Sequence, residues 1–147
     1  MPSPGESPSV DNPMPGRGLF VGGALLAALA VALGAFGTHA LEARVPPARV
    51  DTWETGVRYH LVHALALLAL GLAQARWAAR GLARAGSLIA LGTVVFSGSL
   101  YVLVLTDTPI LGAVTPVGGV LLIAGWAWAA WSLVKAPSQP WAPPKSL

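Results

Sequence analysis

Apolar residues fall into four long runs separated by short polar links, and each run predicts a membrane-spanning helix. Residues 19–36 are without exception apolar or Gly, 18 in succession, close to the roughly 20 needed to cross a hydrocarbon core about 30 Å thick. Residues 85–105 and 111–134 run for 21 and 24 positions without a charge, and only "TDTPI" joins them. The second run is weaker. Its uncharged stretch, 61–75, has 15 residues, about 22 Å of helix, so residues 56–60 must contribute to a crossing. The predicted spans are 19–38, 56–75, 85–105 and 111–134, within a membrane domain at 19–134. The flanking segments 1–18, "MPSPGESPSVDNPMPGRG", and 135–147, "KAPSQPWAPPKSL", are Pro-rich and polar, the make-up of disordered tails. The fold class is an all-α membrane protein, a four-transmembrane-helix bundle with disordered N- and C-terminal tails. A cleaved signal is the rival reading of the first run, because Arg17 precedes it and "THA" at 38–40 imitates a cleavage site. Its length favours a span, since signal cores have about 7 to 15 residues.

Polar positions within the second run follow a pattern of their own. "RVPPARVDTWE" places Pro46 and Pro47 where they break any helix leaving span one. Asp51 follows with Glu54 three residues on, a variant capping box that predicts a new helix near Asp51. Arg58, Tyr59 and His60 are then drawn into the outer interface, with His63 below it. Glu54 and Arg58 stand about 40° apart on a 3.6-residue helix and are spaced for an ion pair. Tyr59, His60 and His63 project roughly 140° to 240° away from Glu54. One helix presents two polar faces.

The other spans add polar residues at the same end. His39 and Glu42 leave span one there, span three arrives with Thr93, Ser97, Ser99 and Tyr101, and span four departs with Thr115 and Pro116. Thr93, Ser97 and Tyr101 recur every four residues and are expected to face a neighbouring helix. Ala30, Gly34 and Thr38 form a small-residue stripe suited to close helix contact. Pro116, Gly118, Gly119 and Gly125 suit either close packing or a broken helix lining a cavity.

Charge sets the expected topology. Arg17, Arg76, Arg80, Arg84, Lys135 and Lys145 lie on the side of the termini, against Arg44, Arg49 and Arg58 on the other. That bias predicts cytoplasmic termini in the cell membrane. Trp77 and Trp131 beside Arg76 and Lys135 suit an aromatic belt, with Trp53 in the opposite one. Composition agrees, at 54% apolar and 10% charged against roughly 25% charged for a soluble domain. The absence of cysteine excludes disulfides, thiolate metal sites and thiol catalysis. The net charge of +3 is spread as flanks of apolar runs, which is not a nucleic-acid footprint.

Four stretches carry a resemblance: "GAFGTHAL" at 34–41, "WETGVRYHLVHALALLAL" at 53–70, "FSGSLYVLVLT" at 96–106 and "LGAVTPVGGVLLIAGW" at 111–126. In this order they resemble domain-of-unknown-function family 423, small integral membrane proteins that include YgdD-like and transmembrane protein 256-like proteins, over roughly residues 19–134. The resemblance implies a compact four-helix membrane protein and supplies no reaction, substrate or cofactor. Matching positions are Gly34, Gly37, His39, Trp53, Glu54, Arg58, Tyr59, His63, Ser97, Gly98, Ser99, Tyr101, Thr115, Pro116 and Gly119. His60 stands where the family pattern usually has an amide, and Thr38 where it usually has Ala.

The candidate polar cluster, structural or functional, is His39, Glu42, Glu54, Arg58, Tyr59, His63, Ser97, Ser99, Tyr101 and Thr115. A buried imidazole in lipid must find a partner, so a bond to a loop carbonyl, carboxylate or hydroxyl is the expected role of His39 and His63. Haem or metal ligation is the competing role. His60 and His63 at i,i+3 ligate only if a third group arrives from elsewhere, so neither metal nor cofactor is expected. No nucleophile with an adjacent base is visible, and no enzymatic activity is expected. The expected function is a non-enzymatic membrane scaffold or partner subunit, in the lipid bilayer with a membrane-protein partner or as a homo-oligomer. The alternative is a small-solute or ion transporter or channel with its entrance at the polar end.

Overall fold

The computed structural model describes residues 14–77 and 79–136. The expected tail segments 1–13 and 137–147 lie outside the described residues. Four helices follow in order: α1 (Arg17–Phe36), α2 (Pro47–Trp77), α3 (Gly81–Thr106) and α4 (Thr115–Val134). A π-helical turn, Gly37–Leu41, prolongs α1, and a 3-10 turn, Pro109–Ala113, leads into α4. Among the described residues there is no β-strand. Each of the four helical segments is long and apolar enough to cross a membrane.

Three boundaries depart from expectation. Chain order begins ahead of Leu19, because α1 starts at Arg17 and the preceding turn packs on α2. Gly16 makes that packing possible: its φ of 85° is left-handed, and a Cβ there would overlap the Gly71 carbonyl. The second helix starts at Pro47, not near Asp51. Proline suits a helix start, where its missing N–H is not needed and its φ is already helical. Asp51 therefore lies inside the helix, and its carbonyl accepts a 2.9 Å bond from the Thr55 hydroxyl. Finally, Pro116 falls in the first turn of a continuous α4. It opens that helix instead of breaking it.

With 31 residues, α2 is about 46 Å long and overshoots a hydrocarbon core of about 30 Å. Taking Arg76, Arg84, Arg17 and Lys135 as the boundary at the terminal end, about 20 residues of α2 reach back to the neighbourhood of Val57. Its first turns stand clear of the hydrocarbon at the loop end, with His60 about one turn inside that boundary and His63 deeper.

Packing joins sequence neighbours: α1 on α2, α2 on α3 and α3 on α4. The central pair is α2 and α3. On α2 the buried positions include Trp53, Gly56, His60, His63, Leu67 and Leu70, spaced alternately by three and four, the heptad seam of a left-handed helix pair. Along α1 and the turns flanking it the answering positions are small and seven apart. Gly16 meets Gly71, Gly23 meets Ala64 and Leu67, Ala30 is buried, and Gly37 meets Trp53. The anticipated stripe of Ala30, Gly34 and Thr38 shares only Ala30 with this seam. Steps of four rotate ahead of a 3.5-residue period, so Gly34 touches Val57 and Thr38 is exposed.

Two apolar clusters fill the interior. At the terminal end Leu67, Leu70, Leu82, Ala85, Ile89, Leu122 and Ala129 pack together. At the loop end Leu41, Trp53, Leu103 and Val104 do so. Gly118 and Gly125 of α4 abut Phe96 and Ile89 of α3, which is the close-packing role of these glycines.

Candidate functional site

The loop end is organised around an indole. Trp53, expected in an interfacial belt, is 1% exposed because Gly37 and Tyr101 pack over its ring. Its Nε1–H donates to the Leu33 carbonyl of α1 at 2.9 Å. Its ring lies 5.4 Å from Phe36 and 4.6 Å from Tyr101, centroid to centroid. Two glycines admit these rings. A Cβ at Gly37 would stand 2.7 Å from the indole, and one at Gly56 2.8 Å from the Tyr101 ring. The pattern W-x-x-G-x-x-x-H in "WETGVRYH" is therefore one face of α2, turned toward α1 and α3.

Beside this aromatic tier lies a cavity of about 170 Å³ between α1, α2 and α3. Leu26, Leu29 and Leu33 of α1 form one wall and His60, Thr93, Ser97 and Tyr101 of α2 and α3 the other, and the surface they present is almost wholly apolar because the polar atoms lie behind it. Leu29 and Val94 line it while being 49% and 60% exposed, so its mouth opens between α1 and α3 toward the lipid. The Tyr101 hydroxyl lies 3.3 Å from His60 Nδ1. Thr93 is satisfied within α3, its hydroxyl donating to the Ile89 carbonyl at 2.8 Å. Two polar atoms are left over: His60 Nε2 and Ser97 Oγ are buried without a hydrogen-bond partner. Each such orphan costs about 1 to 3 kcal/mol.

The expected polar cluster is divided among separate places. Ser97 and Tyr101 line the cavity. Tyr59 and His63 belong to a second group on the other flank of the α2 seam, where Tyr59 stacks on Phe96 at 4.4 Å and His63 on Tyr59 at 5.9 Å. His63 Nδ1–H donates to the Tyr59 carbonyl at 2.7 Å, and Trp126 of α4 is 6.3 Å from its ring. Ser99 and Thr115 form a third group, joining α3 to α4 through hydroxyls 2.9 Å apart. Ser99 also donates to the Phe96 carbonyl. His39, Glu42, Glu54 and Arg58 are exposed and join none of these groups.

Ion pairing also falls elsewhere than expected. Among the described residues the one ion pair links Arg49 to Asp107, tying the start of α2 to the end of α3. Glu54 and Arg58 share a helix face but hold no contact within 4 Å. At the loop-end boundary each side chain reaches water, and solvation removes the incentive to pair. His60 and His63 serve different groups, and no three His, Asp or Glu among the described residues converge as a metal set.

His60 and Thr93 lie outside the polar cluster expected from the sequence, yet both line the cavity. The four-residue recurrence of Thr93, Ser97 and Tyr101 was the available signal for α3. The alternating spacing of Trp53, Gly56, His60 and His63 was the signal for α2.

The comparisons with known proteins agree with the membrane architecture. A family model described as "Protein of unknown function (DUF423)" matches residues 33–119, which contain the cavity's polar residues, the aromatic tier and the Ser99–Thr115 link. The UPF0382 membrane protein YwdK of Bacillus subtilis is 46% identical over 114 residues, covering 77% of this chain and 93% of that protein. The UPF0382 membrane protein SERP0230 of Staphylococcus epidermidis is 47% identical over 104 residues, covering 71% and 84%. The UPF0382 inner membrane protein YgdD of Escherichia coli K12 is 40% identical over 114 residues, covering 78% and 87%. No solved structure matches the chain at comparable significance. With the family model spanning more than half of its length and relatives aligned across most of theirs, the chain belongs to the DUF423 family of membrane proteins of unknown function.

Proposed function

We propose that the protein is a non-enzymatic membrane component that binds a small, uncharged, amphipathic molecule from the membrane phase in the cavity lined by His60, Ser97 and Tyr101. The carrying observation is the pair of buried, partnerless atoms His60 Nε2 and Ser97 Oγ at one cavity. Buried polar groups in native proteins are nearly always satisfied, so two together call for a partner that completes them. Both atoms are shielded from the cavity's free space, so a hydroxyl or carbonyl on the bound molecule reaches them through a small rotation of the His60 or Ser97 side chain. The Leu26, Leu29 and Leu33 wall accepts its hydrocarbon part, and the mouth toward lipid gives it a way in. No charged side chain lines the cavity, so an ionic ligand would go without compensation in a low dielectric.

Packing favours a binding or partner subunit over a conduit. Below the cavity, toward the terminal end, Leu67, Leu70, Leu82, Ala85 and Ile89 close the interior, and a transported solute would have to part them. An enzymatic role finds no support in the site, because the Ser97 hydroxyl has no bond to an imidazole base. The Lys and Arg bias favours termini on the cytoplasmic side of the cell membrane.

Native mass spectrometry of the protein released from membranes in mild detergent tests the reading. The wild type should retain an uncharged amphipath at about one per chain, and His60→Phe with Ser97→Ala, which removes the two unpartnered polar atoms, should retain at least about tenfold less. Equal retention by both, or none by the wild type, contradicts it. Since the chain has no cysteine, single cysteines along α3 test the conduit reading. Aqueous labelling throughout the terminal half would favour transport.

A further inference from the structure

A second cavity, of about 330 Å³, lies at the opposite end of the molecule, where α3 begins and α4 ends. Arg80, Gly81, Trp128, Trp131, Ser132 and Lys135 are among its lining residues. Its walls follow from a close helix contact. A Cβ on Gly81 would overlap Ser132 Oγ, so this glycine lets the two helix ends meet and leaves the longer flanking side chains standing around a recess. The Ser132 hydroxyl donates to the Trp128 carbonyl at 2.7 Å, while the Lys135 ammonium lies 4.4 Å from the centre of the Trp131 ring, a cation–π distance that holds the ammonium at the rim.

Charge in this recess is not neutralised from within the described protein. Arg80 and Lys135 both line it, and neither is within 4 Å of a carboxylate among the described residues, the one ion pair lying at the loop end. The first turn of α3 holds no acidic side chain, and no side chain caps it. The recess therefore presents two cations and the indole edge of Trp128 with no anion to meet them. Its depth is informative too. It sits where the spans end, near the cations Arg76, Arg84 and Lys135, and Val134 and Trp131 beside it are 82% and 59% exposed.

From these observations we infer that the recess between Arg80 and Lys135 binds the phosphate group of an anionic phospholipid, whose acyl chains run along the exposed face of α4. A volume of 330 Å³ equals that of about ten liquid waters, ample for a phosphate and the first atoms of its ester substituents. Basic recesses between helices at the membrane surface hold anionic head groups in this manner, each Lys or Arg near the surface adding about 1 kcal/mol. Phosphate oxygens accept from the guanidinium of Arg80 and the ammonium of Lys135, and the Trp128 N–H supplies a third donor. This inference concerns lipid at the terminal end and is independent of the loop-end cavity.

The test is lipid retention by the full chain in detergent holding equimolar phosphatidylglycerol and phosphatidylcholine, read by native mass spectrometry. The wild type should keep phosphatidylglycerol in preference. Arg80→Gln with Lys135→Gln should lower that preference at least about fivefold, and Arg80→Lys with Lys135→Arg should restore most of it. Arg76→Gln with Arg84→Gln removes the same net charge outside the recess and should leave the preference within about twofold. Equal loss in both pairs of variants would mean a diffuse surface charge and would overturn the inference. Displacement of the lipid by millimolar inorganic phosphate would overturn the lipid assignment in favour of a free-ion site. Folding is controlled by the wild-type-like helical circular dichroism expected for exposed substitutions, and a loss of retention with a loss of that signal is resolved by the charge-restoring variant.

Discussion

The Trp53 indole N–H reaches across the first helix contact to the Leu33 carbonyl, 2.9 Å away, with the ring bedded on Gly37. Trp53→Ala is expected to destabilise the protein by about 3 to 5 kcal/mol through the cavity it leaves. Trp53→Phe keeps most of the ring and forfeits one bond, a loss of about 1 kcal/mol. Gly37→Ala and Gly56→Ala overpack the same tier and should each cost about 1 to 3 kcal/mol. Unfolding in graded sodium dodecyl sulfate measures all four. A Gly56→Ala protein as stable as the wild type would show that Tyr101 does not sit over Gly56.

Glu54 and Arg58 have the helical spacing of an ion pair and none of its contact. Glu54→Gln and Arg58→Gln are therefore expected to change stability by less than about 0.5 kcal/mol each. The double variant should be additive within about 0.3 kcal/mol. A coupling above 1 kcal/mol in that double-mutant cycle would establish the pair.

The Ser99 and Thr115 hydroxyls, 2.9 Å apart, fasten the start of α4 to α3. Ser99→Ala leaves Thr115 the Leu111 carbonyl of the preceding 3-10 turn, 3.4 Å away, so the cost should be modest, about 1 kcal/mol. Ser99→Ala with Thr115→Ala should cost less than the sum of the two single changes, as measured by the same unfolding series.

Much of this architecture was legible in the sequence. Run length alone gives four spans, because a hydrocarbon core demands about 20 apolar residues whatever the protein does. Pro47 reads in the sequence as a breaker, whereas in the fold it opens α2. Run length and aromatic belts place His60 and Trp53 near the interface and carry no information on what packs over them, which is what buries both. The four-residue recurrence of Thr93, Ser97 and Tyr101 was legible as a face. Which helix it met was not, since periodicity orders residues around an axis and says nothing of the neighbour. Glu54 drew attention as a charge near a membrane, yet the partnerless atoms belong to His60 and Ser97, which only the packing of three helices brings to one cavity.

The central claim is that His60 Nε2 and Ser97 Oγ are completed by an uncharged amphipathic molecule between α1 and α3. An experimental structure of the protein in native lipid, at a resolution that separates water from a continuous ligand, tests it most directly. Elongated density along Leu26, Leu29 and Leu33, with a polar atom within about 3.2 Å of both His60 Nε2 and Ser97 Oγ, is the predicted result. A cavity holding only discrete waters, or one closed by a direct bond between His60 and Ser97, would contradict it.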